Sequence, residues 1–176
     1  MAMNIKKTKK ITFCAMMAAL ASVFMLTSYF PYLTYAIPAL SGLFIMVSVI
    51  EYGCKWGFIS YLASAFPVFL LAETESKLMY VCFFGFYPII KALTEKMRKP
   101  ILEWIIKLVV FNCAVLAVYL LFSKVFMIEV EDFGPLGRYG AYILLVFGNI
   151  VFVLYDIAVS RMAMFYLTII KPKLKF

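Results

Sequence analysis

Residues 139–170 read YGAYILLVFGNIVFVLYDIAVSRMAMFYLTII, and this stretch decides the class of protein. It is mostly apolar over more than the roughly 20 residues that an α-helix needs to cross a bilayer. Because the stretch is too long for one crossing, we predict a spanning helix over about 139–160. We expect the turns after Asp156 to run along or beyond the cytoplasmic interface.

Five further apolar stretches precede this one. Of the 176 residues, 66% are apolar and 15% are charged, whereas a soluble domain has about 45–50% apolar and about 25% charged residues. A chain of this size cannot bury that excess, which excludes a soluble globular enzyme and a disordered chain. We therefore predict one all-α integral membrane domain over residues 1–176, a bundle of six transmembrane helices. The first five spans are predicted at about 11–30, 33–50, 54–72, 78–93 and 104–128.

The distribution of lysine and arginine predicts the orientation. Fourteen of these residues fall on the side of the two termini, and three (Lys77, Lys124 and Arg138) fall on the other. The positive-inside rule therefore places both termini in the cytoplasm, and we expect a multi-pass protein of a prokaryotic plasma membrane. Residues 6–22 also fit a cleaved signal peptide, whose removal would leave this orientation unchanged. We interpret the net charge of +8 as a topology signal and a contact for lipid headgroups, and not as a nucleic-acid site.

Polar and aromatic residues recur at helical spacing in three of the predicted spans. Steps of three and four residues place them on one face of each helix. Since polar side chains are expensive in lipid, these faces should point into the protein. The stripes are Arg138, Tyr142, Leu145, Asn149, Phe152 and Asp156 in the sixth span, Lys77, Tyr80, Phe84 and Tyr87 in the fourth, and Asn112, Tyr119 and Ser123 in the fifth.

These stripes predict a pocket that opens to the outside. Aromatic faces stack on rings, and a cation neutralises a carboxylate or phosphate, so a flat and possibly anionic small molecule would fit. The alternative to a binding pocket is a structural role, in which the aromatic residues form an interfacial belt and the asparagine only bonds a neighbouring helix. Asp156 lies near the inner end, and we interpret it as a structural or subunit-contact residue that pairs with Arg161 or Lys107. The predicted substrate-binding residues are Lys77, Tyr80, Phe84, Tyr87, Tyr119, Arg138, Tyr142 and Asn149.

No catalytic motif accompanies this pocket. The chain has no histidine, no phosphate-binding loop of the GxxxxGK[ST] type, and no pair of cysteines at metal-ligand spacing. We therefore expect neither an enzyme nor a bound metal or cofactor. In the first span Ala15 and Ala19 are four residues apart, a spacing that lets another helix approach closely.

Three short segments resemble the substrate-binding S component of energy-coupling factor (ECF) transporters. They are Ala15-x-x-x-Ala19 in the first span, IPALSG at 37–42, and GCKWG at 53–57. The resemblance implies that the chain captures a vitamin or similar micronutrient from outside. It also implies as partners a transmembrane coupling subunit, met by Ala15 and Ala19, and two ABC-type ATPases. By the same resemblance the loop at 31–35, with Tyr32 and Tyr35, would act as a lid. The substrate itself is not indicated.

Two other functions fit a six-span chain of this length. One is a membrane scaffold similar to the rod-shape protein MreD, and the other is a bundle that helps to assemble other membrane proteins. A substrate binder needs a cavity on which Lys77, Arg138 and Asn149 converge, whereas a scaffold should have those helices packed shut.

Overall fold

The computed structural model describes residues 5–30, 33–97, 99–121 and 137–173, with side chains for 7–30, 33–97, 99–121 and 145–173. Throughout these ranges the regular structure is helical, which confirms the all-α class. A 3₁₀ turn follows the first helix, and π-helical turns lie at Tyr80–Phe84 and Tyr166–Ile170. The helices are α1 (Ile5–Leu26), α2 (Ala36–Tyr52), α3 (Cys54–Leu71), α4 (Thr74–Met79), α5 (Tyr87–Glu95), α6 (Pro100–Leu120) and α7 (Gly137–Phe165).

Five or six of these segments are long and apolar enough to cross a membrane. Helices α4 and α5 and the π-helical turn between them form one such segment, and α2 is apolar but shorter, at 17 residues. Some starts differ from the predicted ones. The fourth span begins at Thr74 because the Glu73 carboxylate caps it, accepting hydrogen bonds from the amides of Glu75 and Ser76. The fifth begins at Pro100, whose fixed backbone suits the first turn of a helix. The five segments are Lys7–Tyr29, Cys54–Leu71, Thr74–Glu95, Pro100–Leu120 and Leu145–Ile170.

Helices α1, α2 and α3 pack closely because small residues line their contacts. The Ser22 hydroxyl of α1 lies 3.4 Å from the Ser64 carbonyl of α3, and the Ser60 hydroxyl lies 3.4 Å from the Cys14 carbonyl. Small side chains let helix backbones approach in a membrane, where dispersion and hydrogen bonds replace the hydrophobic effect. Gly53 makes the tight turn between α2 and α3, with a φ of 87° that side chains other than glycine rarely adopt.

The helices alternate in direction, so their ends gather at two ends of the bundle. At one end the Phe13 ring of α1 contacts the Tyr52 ring at the close of α2, and Lys171 pairs with Glu51 at 3.2 Å. We call this the basic end, since most lysines flank it. At the opposite end the Tyr29 hydroxyl donates to the Leu71 carbonyl at 2.9 Å.

Candidate functional site

A buried carboxylate of α7 joins three helices near the basic end. The Asp156 side chain is 6% exposed, and its Oδ1 pairs with the Lys91 ammonium of α5. Its Oδ2 lies 3.1 Å from the Lys107 ammonium of α6. The Tyr87 hydroxyl donates a further hydrogen bond to Oδ1 at 2.5 Å. The Asp156–Lys107 pairing is thus confirmed, whereas Arg161 is exposed and is not among these partners.

Two glutamates complete this group, which we call the charge cluster: Lys91, Glu95, Glu103, Lys107 and Asp156. Glu103 accepts from Lys107 at 2.5 Å, and Glu95 lies 3.1 Å from Lys91. Glu95 is 48% exposed and forms the rim, while both lysines are buried. Charges inside a membrane protein are expensive unless they are paired. Because Lys91 has two carboxylate neighbours and Lys107 has three, the cluster fixes α5, α6 and α7 against one another.

An aromatic layer fills the space beside the charge cluster. The Phe111 and Phe152 rings stack with centroids 4.7 Å apart, and the Phe83 ring contacts both edge-on at 5.4 and 5.8 Å. Tyr87 packs against Phe152 at 5.5 Å and Tyr155 at 5.5 Å. Rings at these separations and angles pack favourably. The part of the bundle between α5, α6 and α7 that adjoins the cluster is therefore closed by side chains.

Asn149 and Asn112 form a reciprocal amide pair between α7 and α6. The Asn112 amide nitrogen donates to the Asn149 carbonyl oxygen at 3.0 Å, and the Asn149 nitrogen donates to the Asn112 oxygen at 3.2 Å. Each nitrogen also donates to a carbonyl one turn back in its own helix, at 2.8 Å. Asn149 thus hydrogen-bonds within the bundle, as expected from the alternative in which this residue only bonds a neighbouring helix.

The π-helical turn at Tyr80–Phe84 separates residues that we expected on one face. Tyr80 is fully buried against Met25 of α1 and Val68 of α3, whereas Tyr87 packs with Phe152 of α7. The prediction of one shared face is therefore wrong for Tyr80 and Tyr87, whereas Phe84 and Tyr87 both contact the Tyr155 ring, at 5.0 and 5.5 Å. A π-helical turn changes the angular phase of the residues after it. The π-helical turn ends just before α5, which has Pro88 in its first turn. Pro88 has no amide hydrogen to donate back to the π-helical turn.

At the opposite end the connection between α1 and α2 is attached to the start of α4. The Ser76 hydroxyl donates to the Thr34 carbonyl at 2.8 Å, and the Tyr35 hydroxyl donates to Glu75 Oε2 at 3.2 Å. Burial and the adjacent Glu75 carboxylate raise the pKa of Tyr35 above its ordinary value of 10.0. Both effects disfavour the phenolate, so the hydroxyl stays a donor at neutral pH. Lys77 follows Glu75 by two residues in α4, and its ammonium lies 5.7 Å from the centre of the Phe69 ring of α3.

The remaining predicted binding residues do not lie together in the described part of the chain. Phe84 is half-buried and packs on Tyr155 at 5.0 Å, and Tyr119 is 53% exposed on α6. The side chains of Arg138 and Tyr142, and the whole of Tyr32, lie outside the described residues, so the proposed convergence on Arg138 stays a prediction.

Two surface cavities are lined by residues outside the predicted binding set. One, of about 310 Å³, lies between α1, α2 and the end of α7, with a wholly apolar lining that includes Phe44, Met162 and Phe165. The other, of about 360 Å³, lies between the first turns of α1 and Tyr52. Neither cavity contacts Lys77 or Asn149.

The small residues of α1 divide between two faces. Ala18 is buried against the bundle, and Ser22 donates to its carbonyl at 2.9 Å. Ala15 and Ala19, the predicted contact with a coupling subunit, are exposed. Their face is therefore available to another helix or to lipid.

Sequence reasoning named Lys107 as one possible partner of Asp156 but missed the rest of the charge cluster, because it assigned Lys91 only to the topology count. A signal was present, since Lys91 follows Tyr87 by four residues and Lys107 follows Glu103 by four. That spacing places each pair on one helix face. Removing both lysines from the count leaves the orientation unchanged, because the basic end keeps its large excess.

Comparisons of the chain with family models, with curated proteins and with solved structures find no match.

Proposed function

We propose that this chain is the membrane-embedded substrate-capture subunit of an ECF-type importer. It would bind a vitamin or similar micronutrient from the outside and pass it to a coupling subunit driven by ATPases. The observation that carries the proposal is the attachment of the α1–α2 connection to the start of α4, through Ser76 and Tyr35, next to Lys77. A ligand site at this end would include the Tyr35 ring, the Glu75 carboxylate that accepts from the Tyr35 hydroxyl, and the Lys77 ammonium two residues further along α4.

The two ends of the bundle suit different tasks in this proposal. The charge cluster and the aromatic layer hold α5, α6 and α7 rigidly on the basic side. Among the described residues at the opposite end, two side-chain hydrogen bonds join Tyr35 to Glu75 and Thr34 to Ser76, and Tyr35 and Thr34 would be released from α4 if both broke. Segments that open for ligands are drawn from such weakly held regions. The segment around Tyr35 would thus serve as the lid.

The exposed face of Ala15 and Ala19 supports the coupling part of the proposal. Alanine at these positions leaves a shallow strip on which a partner helix can pack closely. We expect Ala15→Trp and Ala19→Trp to abolish uptake in cells and to leave ligand binding by the purified chain intact. Uptake that survives both substitutions would contradict the assignment of this face.

A second candidate, a scaffold similar to MreD, is favoured by one observation. The amide pair Asn112–Asn149 and the aromatic layer close the bundle where α6 and α7 cross. A scaffold needs such a rigid interior and no ligand.

A thermal-shift screen of the purified full chain against a panel of vitamins distinguishes the two candidates. A capture subunit should be stabilised by at least one member, since a ligand that binds only the folded state raises its stability. For an anionic ligand, Lys77→Gln should weaken binding about tenfold, which corresponds to about 1.4 kcal/mol. The matched control Lys55→Gln removes an exposed cation at the basic end and should bind normally. No shift with any member would favour the scaffold.

A further inference from the structure

The cavity between α1 and Tyr52, at the basic end, has a lining that changes from polar to apolar along α1. Five of its six residues come from α1, and they lie on one side of that helix. The lining consists of Thr8, Lys9, Thr12, Phe13, Met16 and Tyr52, around a volume of about 360 Å³. The polar residues belong to the first turns of α1, and the apolar ones follow deeper along the span.

This polar-to-apolar order matches the profile of a phospholipid. At 1.5 Å per residue, Thr8 and Met16 are separated by about 12 Å along the helix axis. That distance covers the passage from the headgroup region into the acyl chains, since the headgroup layers add only about 5–8 Å on each side of the hydrocarbon core. Two hydroxyls and an ammonium group thus lie at headgroup depth, and Met16 lies at acyl-chain depth.

The positive charge around the cavity favours an anionic headgroup. The six lining residues include one cation and no carboxylate, and the Lys10 ammonium lies 5.8 Å from the Tyr52 ring centre at the cavity edge. Glu51 precedes the lining residue Tyr52 in the sequence. Its carboxylate is paired with the Lys171 ammonium at 3.2 Å and accepts a hydrogen bond from the Tyr166 hydroxyl at 3.2 Å, so its charge is balanced. Lysines near a membrane surface attract anionic lipids, and hydroxyl groups donate well to phosphate oxygens.

We propose that this cavity is a binding site for an anionic phospholipid of the leaflet at the basic end. The phosphate accepts hydrogen bonds from Lys9, Thr8 and Thr12, and one acyl chain lies along Phe13 and Met16. The site is independent of the capture site, which lies at the opposite end.

Native mass spectrometry of the full chain tests the headgroup part. The detergent-purified protein is incubated with equal amounts of palmitoyl-oleoyl phosphatidylglycerol and palmitoyl-oleoyl phosphatidylcholine. We expect at least fivefold more phosphatidylglycerol to be retained, and Lys9→Gln to reduce this preference below twofold. The matched control Lys55→Gln removes an exposed cation at the same end outside the cavity and should keep the preference. Equal retention of both lipids, or an equal loss in both variants, would overturn the proposal.

Two tryptophan variants test the acyl-chain part. Met16→Trp fills the deep part of the cavity and should reduce retention of both lipids, while Leu20→Trp, one turn further along α1 and exposed, should leave retention unchanged. An unaltered Met16→Trp protein would refute the seating of the acyl chain. Displacement of the lipid by millimolar inorganic phosphate would instead show that the site takes a free anion. Size-exclusion elution and helical circular dichroism establish that each variant is folded.

Discussion

Replacing Asp156 by leucine should destabilise the bundle more than any conservative change elsewhere in α7. The substitution removes the carboxylate that pairs with both Lys91 and Lys107 and accepts from the Tyr87 hydroxyl. Breaking a buried ion pair by removing one partner costs about 3–5 kcal/mol, because an uncompensated charge stays buried.

The structure places the expected value at the low end of that range. Lys91 keeps Glu95 at 3.1 Å, and Lys107 keeps Glu103 at 2.5 Å and Glu95 at 3.9 Å, so each ammonium group keeps at least one carboxylate. We therefore expect Asp156→Leu to lower the free energy of unfolding by about 3 kcal/mol. Asp156→Asn keeps an acceptor for the Tyr87 hydroxyl and should cost about 1–2 kcal/mol.

Reversible unfolding in mixed micelles, followed by helical circular dichroism during titration with sodium dodecyl sulfate, measures these differences. Arg161→Leu is the control, since Arg161 is exposed on the same helix and surface changes usually stay within about 0.5 kcal/mol. A triple variant with Lys91→Met and Lys107→Met added to Asp156→Leu should recover part of the loss, because no buried ammonium group remains. Glu95 and Glu103 lose their partners in this variant, but they are 48% and 20% exposed to solvent. An Asp156→Leu protein within about 0.5 kcal/mol of the wild type would refute the assignment of the charge cluster as the lock between α5, α6 and α7.

Three further sets of substitutions test other parts of the structure. Alanine at Asn112 or Asn149 should each lower stability, with a coupling of about 0.6–1.7 kcal/mol in a double-mutant cycle, and additive losses would contradict the amide pair. Gly42→Ala should cost about 1–3 kcal/mol because its Cβ would meet a backbone carbonyl of the π-helical turn, whereas Gly148→Ala, with its nearest atom at 3.6 Å, should be tolerated. The raised pKa of Tyr35 makes its contribution to stability complete below pH 10, and this contribution is lost as the pH rises through the folded-state pKa. The melting-temperature advantage over Tyr35→Phe should therefore shrink as the pH rises above 10, and a constant difference would contradict the hydrogen bond from Tyr35 to Glu75.

Composition and periodicity sufficed for the all-α class with several apolar helices long enough to span a membrane, and for the inward position of three residues in the last span. Leu145, which belongs to the same predicted stripe, is 49% exposed. Asn149, Phe152 and Asp156 lie toward the bundle as their spacing predicted, because polar groups must avoid lipid wherever the helix is regular. The same reasoning failed for the fourth span. Spacing rules assume 3.6 residues per turn, and the π-helical turn before Pro88 breaks that assumption between Tyr80 and Tyr87.

The partners of charged side chains were harder to predict than their faces. Lys107 was one of two partners predicted for Asp156, but Lys91 was not predicted, and only the packing of α5, α6 and α7 brings all three residues together. A lysine near the cytoplasmic end of a span is consistent with topology, with snorkelling and with burial, and sequence spacing does not distinguish these roles. The sequence likewise placed Asn112 and Asn149 on inward faces of their helices but did not predict that their amides bond each other.

Mass spectrometry of small molecules released from the purified full chain tests the capture proposal most directly. The account predicts one micronutrient-sized compound at near-equimolar amount, lost from the Lys77→Gln protein and retained by Lys55→Gln. Preparations that release nothing beyond lipid and detergent, even from cells grown with a full vitamin supply, would contradict it.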